Sequence, residues 1–217
     1  MRLQTQTTSR LKLKIATPAA LMQANILQKQ LVGLTLGSLL MIATAVLIMW
    51  SHNHSYVHIA LLGYIFGSIL TLTAYDGLTA HFLFPNQPEI TMLMEPLGIC
   101  FMALFYQGFT ILFFNTQINY PRLHYFFCSL MAFASLIIFS IPFNLYITLA
   151  PILQLAMLLA LPFSLYISWV AIRDGQIGSH AIFYGTLFHF VLTILIILTS
   201  LGITSNDMVL SLSAQTN

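Results

Sequence analysis

The chain has 217 residues, of which 59% are hydrophobic and only 6% are charged, and its formal net charge is +2. Soluble proteins average about 45–50% apolar and about 25% charged residues. This composition therefore excludes an ordinary soluble domain and predicts an integral membrane protein. We expect the lipid bilayer as its main partner and no nucleic acid.

The first thirty residues differ from the rest of the chain. In "RLKLKIA" the basic Arg10, Lys12 and Lys14 alternate with apolar residues, which is the period of a half-buried strand. One strand cannot bury its own face, so residues 1–30 are interpreted as the remnant of a sheet domain; a basic disordered tail is the alternative. Thr17 is a candidate N-cap and Pro18 a candidate first residue of a linker helix.

Six stretches are long and apolar enough to span a membrane, because a spanning helix needs about 20 mostly apolar residues. They are Leu31–Trp50, Val57–Phe82, Ile90–Phe114, Tyr125–Phe143, Leu145–Ile172 and His180–Ile203. The gaps between them are too short for a folded domain. The predicted fold is an all-α membrane bundle of six spanning helices over residues 31–203, followed by a polar tail over 204–217.

Two pairs of glycines have the spacing of close helix contacts. Gly33 and Gly37 lie in "GLTLG", and Gly63 and Gly67 lie in "GYIFG". Small residues four positions apart allow two helix backbones to approach each other in a membrane. Both pairs are therefore candidate packing sites, although the pattern also arises by chance in apolar sequence.

The basic residues give two conflicting indications of orientation. Residues 1–30 hold five of the seven basic residues, which would place the N-terminus in the cytoplasm by the positive-inside rule. Arg122 and Arg173 follow the third and fifth segments, on the opposite face. If the basic tail belongs to a sheet domain its charges count for little, so the internal loops favour an N-terminus outside the cell.

Two of the five acidic residues lie on either side of the loop between the second and third segments. Asp76 is about ten residues before the middle of this loop and Glu95 about ten after it, so a helical hairpin would place them at similar depth. With Tyr75 and His81, they are candidate ligand-binding or gating residues, because ionisable groups at membrane depth are costly and often functional. The alternative is that both carboxylates simply reach interfacial water.

The sequence shows no constellation for catalysis or for a dedicated metal site. Asp76 and His81 are five residues apart, which does not place them on one helix face. There is no phosphate-binding glycine loop, nucleophile elbow or His-Glu-x-x-His pair. His189 is interpreted as a packing residue, and Cys100 and Cys128 as apolar side chains without a disulfide. We therefore expect neither an enzyme nor a cofactor.

Four stretches resemble the membrane region of bacterial seven-transmembrane receptors with diverse intracellular signalling modules. They are "RLQTQTTSRLKLKIATPAALMQANILQKQLVGLTLGSLLMIATAVLIMW", "YDGLTAHFLFP", "NYPRLHYFF" and "AIRDGQIGSHAIFYG". The resemblance covers about Arg2 to Asp207. It implies an extracytoplasmic N-terminal domain, seven helices in the inner membrane and a cytoplasmic output module.

The resemblance implies a sensor that relays an extracytoplasmic ligand or domain state through the helices, with a small ligand and a homodimer as expected partners. The chain departs from the family layout at both ends, since it lacks a complete outer domain and a seventh span. A fragment or a decayed copy is therefore expected. The alternative function is a carrier for a small solute, coupled to protons or cations through Asp76 and Glu95.

Overall fold

The computed structural model describes residues 18–80, 84–85, 87–143 and 145–200, and the regular secondary structure in this part of the chain is helical. Seven α-helices follow one another there: α1 Pro18–Asn53, α2 Tyr56–Tyr75, α3 Pro88–Phe113, α4 Thr116–Asn119, α5 Pro121–Ser140, α6 Tyr146–Arg173 and α7 Ser179–Ser200. A 3-10 turn, Ile141–Phe143, closes α5. The strand predicted in "RLKLKIA" and the polar tail both lie outside the described residues.

Five helices among the described residues are long and apolar enough to cross a membrane. The candidate spans are Lys29–Asn53, Tyr56–Tyr75, Ile90–Phe113, Pro121–Ser140 and Pro151–Arg173. They correspond to the first five predicted segments, so a multi-pass helical bundle is confirmed. Helix α7 has 22 residues and occupies the predicted sixth segment, but the count of six spans stays a prediction.

Helix α1 joins the predicted linker helix and first span into one continuous element. It begins at Pro18, as the sequence predicted, and continues for 36 residues. At about 1.5 Å per residue it is about 54 Å long, which exceeds the hydrocarbon thickness of about 30 Å. The candidate span in α1 is Lys29–Asn53, so the N-terminal part of α1 extends beyond the bilayer.

Helix α2 ends earlier than the sequence predicted. The predicted segment reached Phe82, but α2 stops at Tyr75, and Asp76 is its C-cap. Gly77 follows with φ of +72°, a left-handed conformation that glycine adopts without a steric penalty and that commonly terminates a helix. Asp76 therefore lies at the end of a span, and not within one.

The chain alternates in direction, so the bundle has two ends. The hairpin end contains the turn between α2 and α3 and the turn between α5 and α6. The arginine end contains the α1–α2 loop, the short helix α4 and the α6–α7 loop, with Arg122 and Arg173 at exposed positions. These two names are used below without reference to the side of the membrane.

Helices α2 and α3 form the closest helix contact in the described structure. A Cβ atom built on Gly67 would lie 2.7 Å from the backbone nitrogen of Met102 and 3.0 Å from the carbonyl oxygen of Gly98. A Cβ on Gly63 would overlap the ring of Phe105. Glycine is thus required for this approach, which is driven by van der Waals packing because lipid is as apolar as the side chains.

The other glycine pair has a different environment. Cβ atoms built on Gly33 and Gly37 would have nothing within 4 Å, and the span in α1 is only 6% buried within the described structure. Among the described helices, α1 packs mainly on α2. Gly33 and Gly37 were predicted to pack against another helix. Within the described chain, neither of them makes such a contact.

The packed core joins α3, α5 and α6. One cluster of buried side chains lies toward the hairpin end and contains Cys100, Ala103, Ala134, Ile137, Ile141 and Leu153. A second cluster lies toward the arginine end and contains Phe114, Phe127, Leu130, Ala160, Ile167 and Ala171. Both cysteines, Cys100 and Cys128, are free thiols. Helix α7 is attached beside this core and packs mainly on α6.

Candidate functional site

The predicted site residues that the structure describes at the hairpin end do not form an enclosed site. Tyr75 is 76% exposed, Glu95 is exposed, and Asp76 is half-buried at the end of α2. His81 lies outside the described residues. The two carboxylates therefore differ in their surroundings, since Glu95 is exposed and Asp76 is half-buried.

The backbone arrangement does place the two acidic residues at nearly the same level. The α2–α3 contact sets Thr71 against Gly98. Asp76 is five residues beyond Thr71, and Glu95 is three residues beyond Gly98, both toward the hairpin end. At about 1.5 Å per residue their levels differ by about 3 Å. Tyr75, Asp76 and Glu95 therefore lie together on the rim of the bundle at the hairpin end.

The structure contains a cavity that the sequence did not predict. It lies between α2, α3, α6 and α7 and has a volume of about 710 Å³. A second cavity of about 350 Å³ adjoins α2, α3 and α7 closer to the arginine end. Ligand pockets for small molecules usually measure about 300–1,000 Å³. Both cavities are therefore large enough to hold a small molecule.

Three residues line both cavities: Tyr64 from α2, Tyr106 from α3 and His189 from α7. The rings of Tyr64 and Tyr106 lie 6.0 Å apart between centroids. All three side chains carry a polar group on an otherwise apolar ring. The larger cavity extends from them toward the hairpin end and the smaller one toward the arginine end, so these residues form a polar waist between two apolar chambers.

The hydroxyl of Tyr106 connects α3 with α7 near this waist. Its oxygen lies 3.4 Å from the Oγ1 atom of the buried Thr186. Hydrogen bonds between hydroxyl groups are usually about 2.7–2.8 Å long. This hydrogen bond between α3 and α7 is therefore long and weak.

Gln107 is a fully buried polar residue beside the larger cavity. Its amide nitrogen donates to the sulfur of Met157 at 3.4 Å, and Met157 lines the cavity. The amide oxygen of Gln107 has no hydrogen-bond partner among the described residues. Since a buried amide oxygen without a partner costs about 1–3 kcal/mol, this residue marks a destabilised point in the core.

At the arginine end, the loop after α3 and the loop after α6 meet. The side-chain amide of Gln176 donates to the carbonyl oxygen of Phe113 at 3.0 Å. Phe113 is the last residue of α3, where carbonyl groups lack partners within the helix. Gly178 has φ of +88°, and a Cβ built on it would lie 3.4 Å from the ring of Phe113. We call Phe113, Gln176 and Gly178, all at the arginine end, the rim latch.

Tyr120 and Asp174 lie close to the rim latch on the same two loops. Burial raises the pKa of Tyr120, and the negative charge of Asp174 raises it further. Asn119 donates to the carbonyl oxygen of Phe114 at 3.0 Å, and so provides a second cap for the end of α3. The two loop motifs that carry the family resemblance, "NYPRLHYFF" and "AIRDGQIGSHAIFYG", are thus neighbours in space.

Metal binding finds no support in the described residues, which contain no group of three or more His, Cys, Asp or Glu side chains placed to hold an ion. Sequence reasoning assigned His189 to packing and did not select Tyr64, Tyr106 or Gln107. Polar residues on apolar helices were the available signal, but only the tertiary arrangement shows which of them converge.

A comparison with protein families gave one match of long extent. The sequence model of the family described as "7TM diverse intracellular signalling" matches residues 28–216. Comparisons with curated proteins and with solved structures gave no significant match. The family match covers every described helix except the first ten residues of α1.

Proposed function

The chain belongs to the 7TM diverse intracellular signalling family, and on that premise we propose that it relays an extracytoplasmic ligand or domain state through its helices to a cytoplasmic output module. Its apolar helices and its family make it a multi-pass membrane signalling domain. The proposal concerns the direction of the relay, its input and its output.

The observation that carries the proposal is the weak attachment of α7 to α2 and α3. Helix α7 packs on α6, whereas a cavity of about 350 Å³ separates it from α2 and α3. The long Tyr106–Thr186 contact crosses this gap, and the rim latch closes it at the arginine end. Helix α7, held in this way, has room to shift relative to α2 and α3. Helix shifts of this kind occur in signalling transitions.

We assign the arginine end to the cytoplasm, because basic residues in short loops favour that side. The hairpin end, with Tyr75, Asp76 and Glu95, would then receive the extracytoplasmic input as a gating rim. The N-terminal part of α1 would project on the same side, where an outer domain could act on it directly. We propose the inner membrane of a bacterium as its location, with the N-terminus on the extracytoplasmic side.

The alternative of a coupled carrier receives less support from the geometry. A carrier that moves protons or cations through Asp76 and Glu95 would bring these carboxylates to its central site. Neither residue is among those that line the two cavities. Glu95 is also exposed at the rim, so we do not favour this function.

The proposed relay predicts that a change at the rim latch alters the structure at the hairpin end, because coupling between two sites is reciprocal. We expect Gln176→Ala, which removes the bond to Phe113, to alter the environment of residue 75. The measurement is iodide quenching of bimane attached to Tyr75→Cys, in full-length protein with Cys128→Ala in lipid nanodiscs.

Gln117→Ala is the matched control, because Gln117 is an exposed residue of α4 at the same end of the bundle. We expect the quenching constant to change by at least a factor of about two with Gln176→Ala and to remain at the wild-type value with Gln117→Ala. Identical quenching in all three proteins would contradict the relay.

A further inference from the structure

The two cavities share only residues with a polar group. Of the described residues around them, Tyr64, Tyr106 and His189 occur in both linings. The remaining walls are mostly aliphatic or aromatic, with Leu61 and Phe109 in the smaller chamber and Met102 in the larger one as examples. A molecule that occupied both chambers would therefore be apolar at its two ends and would meet hydrogen-bonding groups at its middle.

We propose that these two cavities form one binding site for a neutral, lipophilic small molecule that carries a hydrogen-bonding group between two apolar parts. The polar group would contact the hydroxyls of Tyr64 and Tyr106 at the waist. The ligand would enter from the bilayer, because the site lies between membrane helices. This site is separate from the rim of Tyr75, Asp76 and Glu95.

The lack of charged residues around the site favours an uncharged ligand. None of the described residues that line either cavity is Asp, Glu, Lys or Arg. A charged ligand in such a site would lose its hydration without gaining a counter-charge, which costs several kcal/mol or more. A neutral molecule avoids this cost, so the lining selects against ions, including the carboxylate forms of fatty acids.

The Tyr106 hydroxyl is suited to exchange its partner. Its distance of 3.4 Å to Thr186 is long for two hydroxyl groups, so this bond costs little to break, and the Ser164 hydroxyl on α6 is a second group beside it. A hydroxyl can donate one hydrogen bond and accept others. The waist can therefore recognise a carbonyl, an ether or an alcohol.

Gly185 provides an independent way to test occupancy. It lines the smaller cavity, and a Cβ atom built on it would have nothing within 4 Å. The Cβ atom of Gly185→Leu would therefore meet no neighbour, and we expect the rest of the side chain to take up space in the smaller cavity. Gly33→Leu is the matched control, since Gly33 also faces open space but lies on α1, away from the site.

The experiment uses full-length protein in lipid nanodiscs and three photoreactive probes. The first is a neutral aryl-diazirine alcohol with a short alkyl chain, the second is the same molecule with a carboxylate in place of the hydroxyl, and the third is a phosphatidylcholine with an acyl-chain diazirine. Mass spectrometry identifies the labelled residues, and competition with unlabelled alcohol gives the half-saturating concentration.

We expect saturable labelling of α6 and α7 residues around the cavity by the neutral alcohol and none by its carboxylate twin. Gly185→Leu should abolish this labelling, and Gly33→Leu should leave it unchanged. Tyr106→Phe should raise the half-saturating concentration about three- to tenfold, which corresponds to the loss of one hydrogen bond.

Three results would overturn the proposal. Equal labelling of Gly185→Leu and wild type would show that the probe reacts elsewhere, and equal labelling by the carboxylate would show that the site does not exclude charge. Labelling of the same residues by phosphatidylcholine, without competition by the alcohol, would show a lipid-filled groove. The site does not depend on the proposed relay: saturable labelling in a protein whose quenching at residue 75 does not respond to Gln176→Ala would support the site and contradict the relay.

Discussion

The interface of α2 with α3 and the joint of α3 with α7 are built in opposite ways. At the first, Gly67 and Gly98 bring two backbones into direct contact, with Thr71 and Met102 packed beside them. At the second, cavities separate the helices, and a hydroxyl contact of 3.4 Å bridges them. The bundle therefore combines one fixed helix pair with one that is loosely held.

The difference has a physical origin in side-chain size. In lipid, helices associate through close van der Waals contact and a few hydrogen bonds, because there is no hydrophobic gain from burying apolar surface. Small residues on facing helices allow that contact. The α3 surface toward α7 presents the large Tyr106 and Phe109 instead, so the backbones stay apart and space remains between them.

The largest effect should follow from disturbing the fixed pair. Gly67→Leu would force a side chain against the backbone nitrogen of Met102, since the new Cβ atom would lie 2.7 Å from that nitrogen. Backbones cannot yield as side-chain ends can, so we expect a loss of about 3 kcal/mol, at the upper end of the usual cost of overpacking. SDS-induced unfolding in bicelles, followed by circular dichroism, measures this change.

Gly37→Leu is the matched control for that prediction. It makes the same exchange on a helix where a Cβ has nothing within 4 Å. Glycine is less favourable than alanine in a helix by about 0.8–1.0 kcal/mol, so this variant should be unchanged or slightly more stable. Similar losses for both variants would contradict the distinction between the two glycine pairs.

The smallest effect should follow from disturbing the loose joint. Tyr106→Phe removes the hydroxyl that reaches Thr186, but that bond is long and its net value is low. We expect the free energy of unfolding to fall by no more than about 0.5 kcal/mol in the same assay. A loss above about 1.5 kcal/mol would show that α7 is held to α3 as firmly as α2 is.

Much of the fold could be predicted because membrane helices are long apolar stretches between short polar loops. Pro18 at the start of α1 and the ends of α3 and α6 agree with the sequence to within two residues. The end of α2 does not, since the hydropathy of the sequence continues to Phe82 while Gly77 turns the backbone. Hydropathy records what a segment prefers as solvent, and it does not record the backbone angle at one residue.

The candidate site was much less predictable. Asp76 and Glu95 were predicted as site residues because charge is rare in this sequence. In the structure, Glu95 is exposed at the hairpin-end rim. Tyr64, Tyr106 and His189 come from three helices and are separated by 42 and 83 residues along the chain. Their convergence depends on the relative rotation of those helices, which no local pattern specifies.

Spin-label distances test the central claim, a fixed body with a loosely held α7, most directly. Labels at Phe66 on α2, Leu136 on α5 and Tyr184 on α7 would all occupy exposed positions. In nanodiscs, we predict one narrow distance distribution for positions 66 and 136, and a broad or two-component distribution for 66 and 184 that shifts with Gln176→Ala. Two equally narrow distributions, both unchanged by Gln176→Ala, would contradict the account.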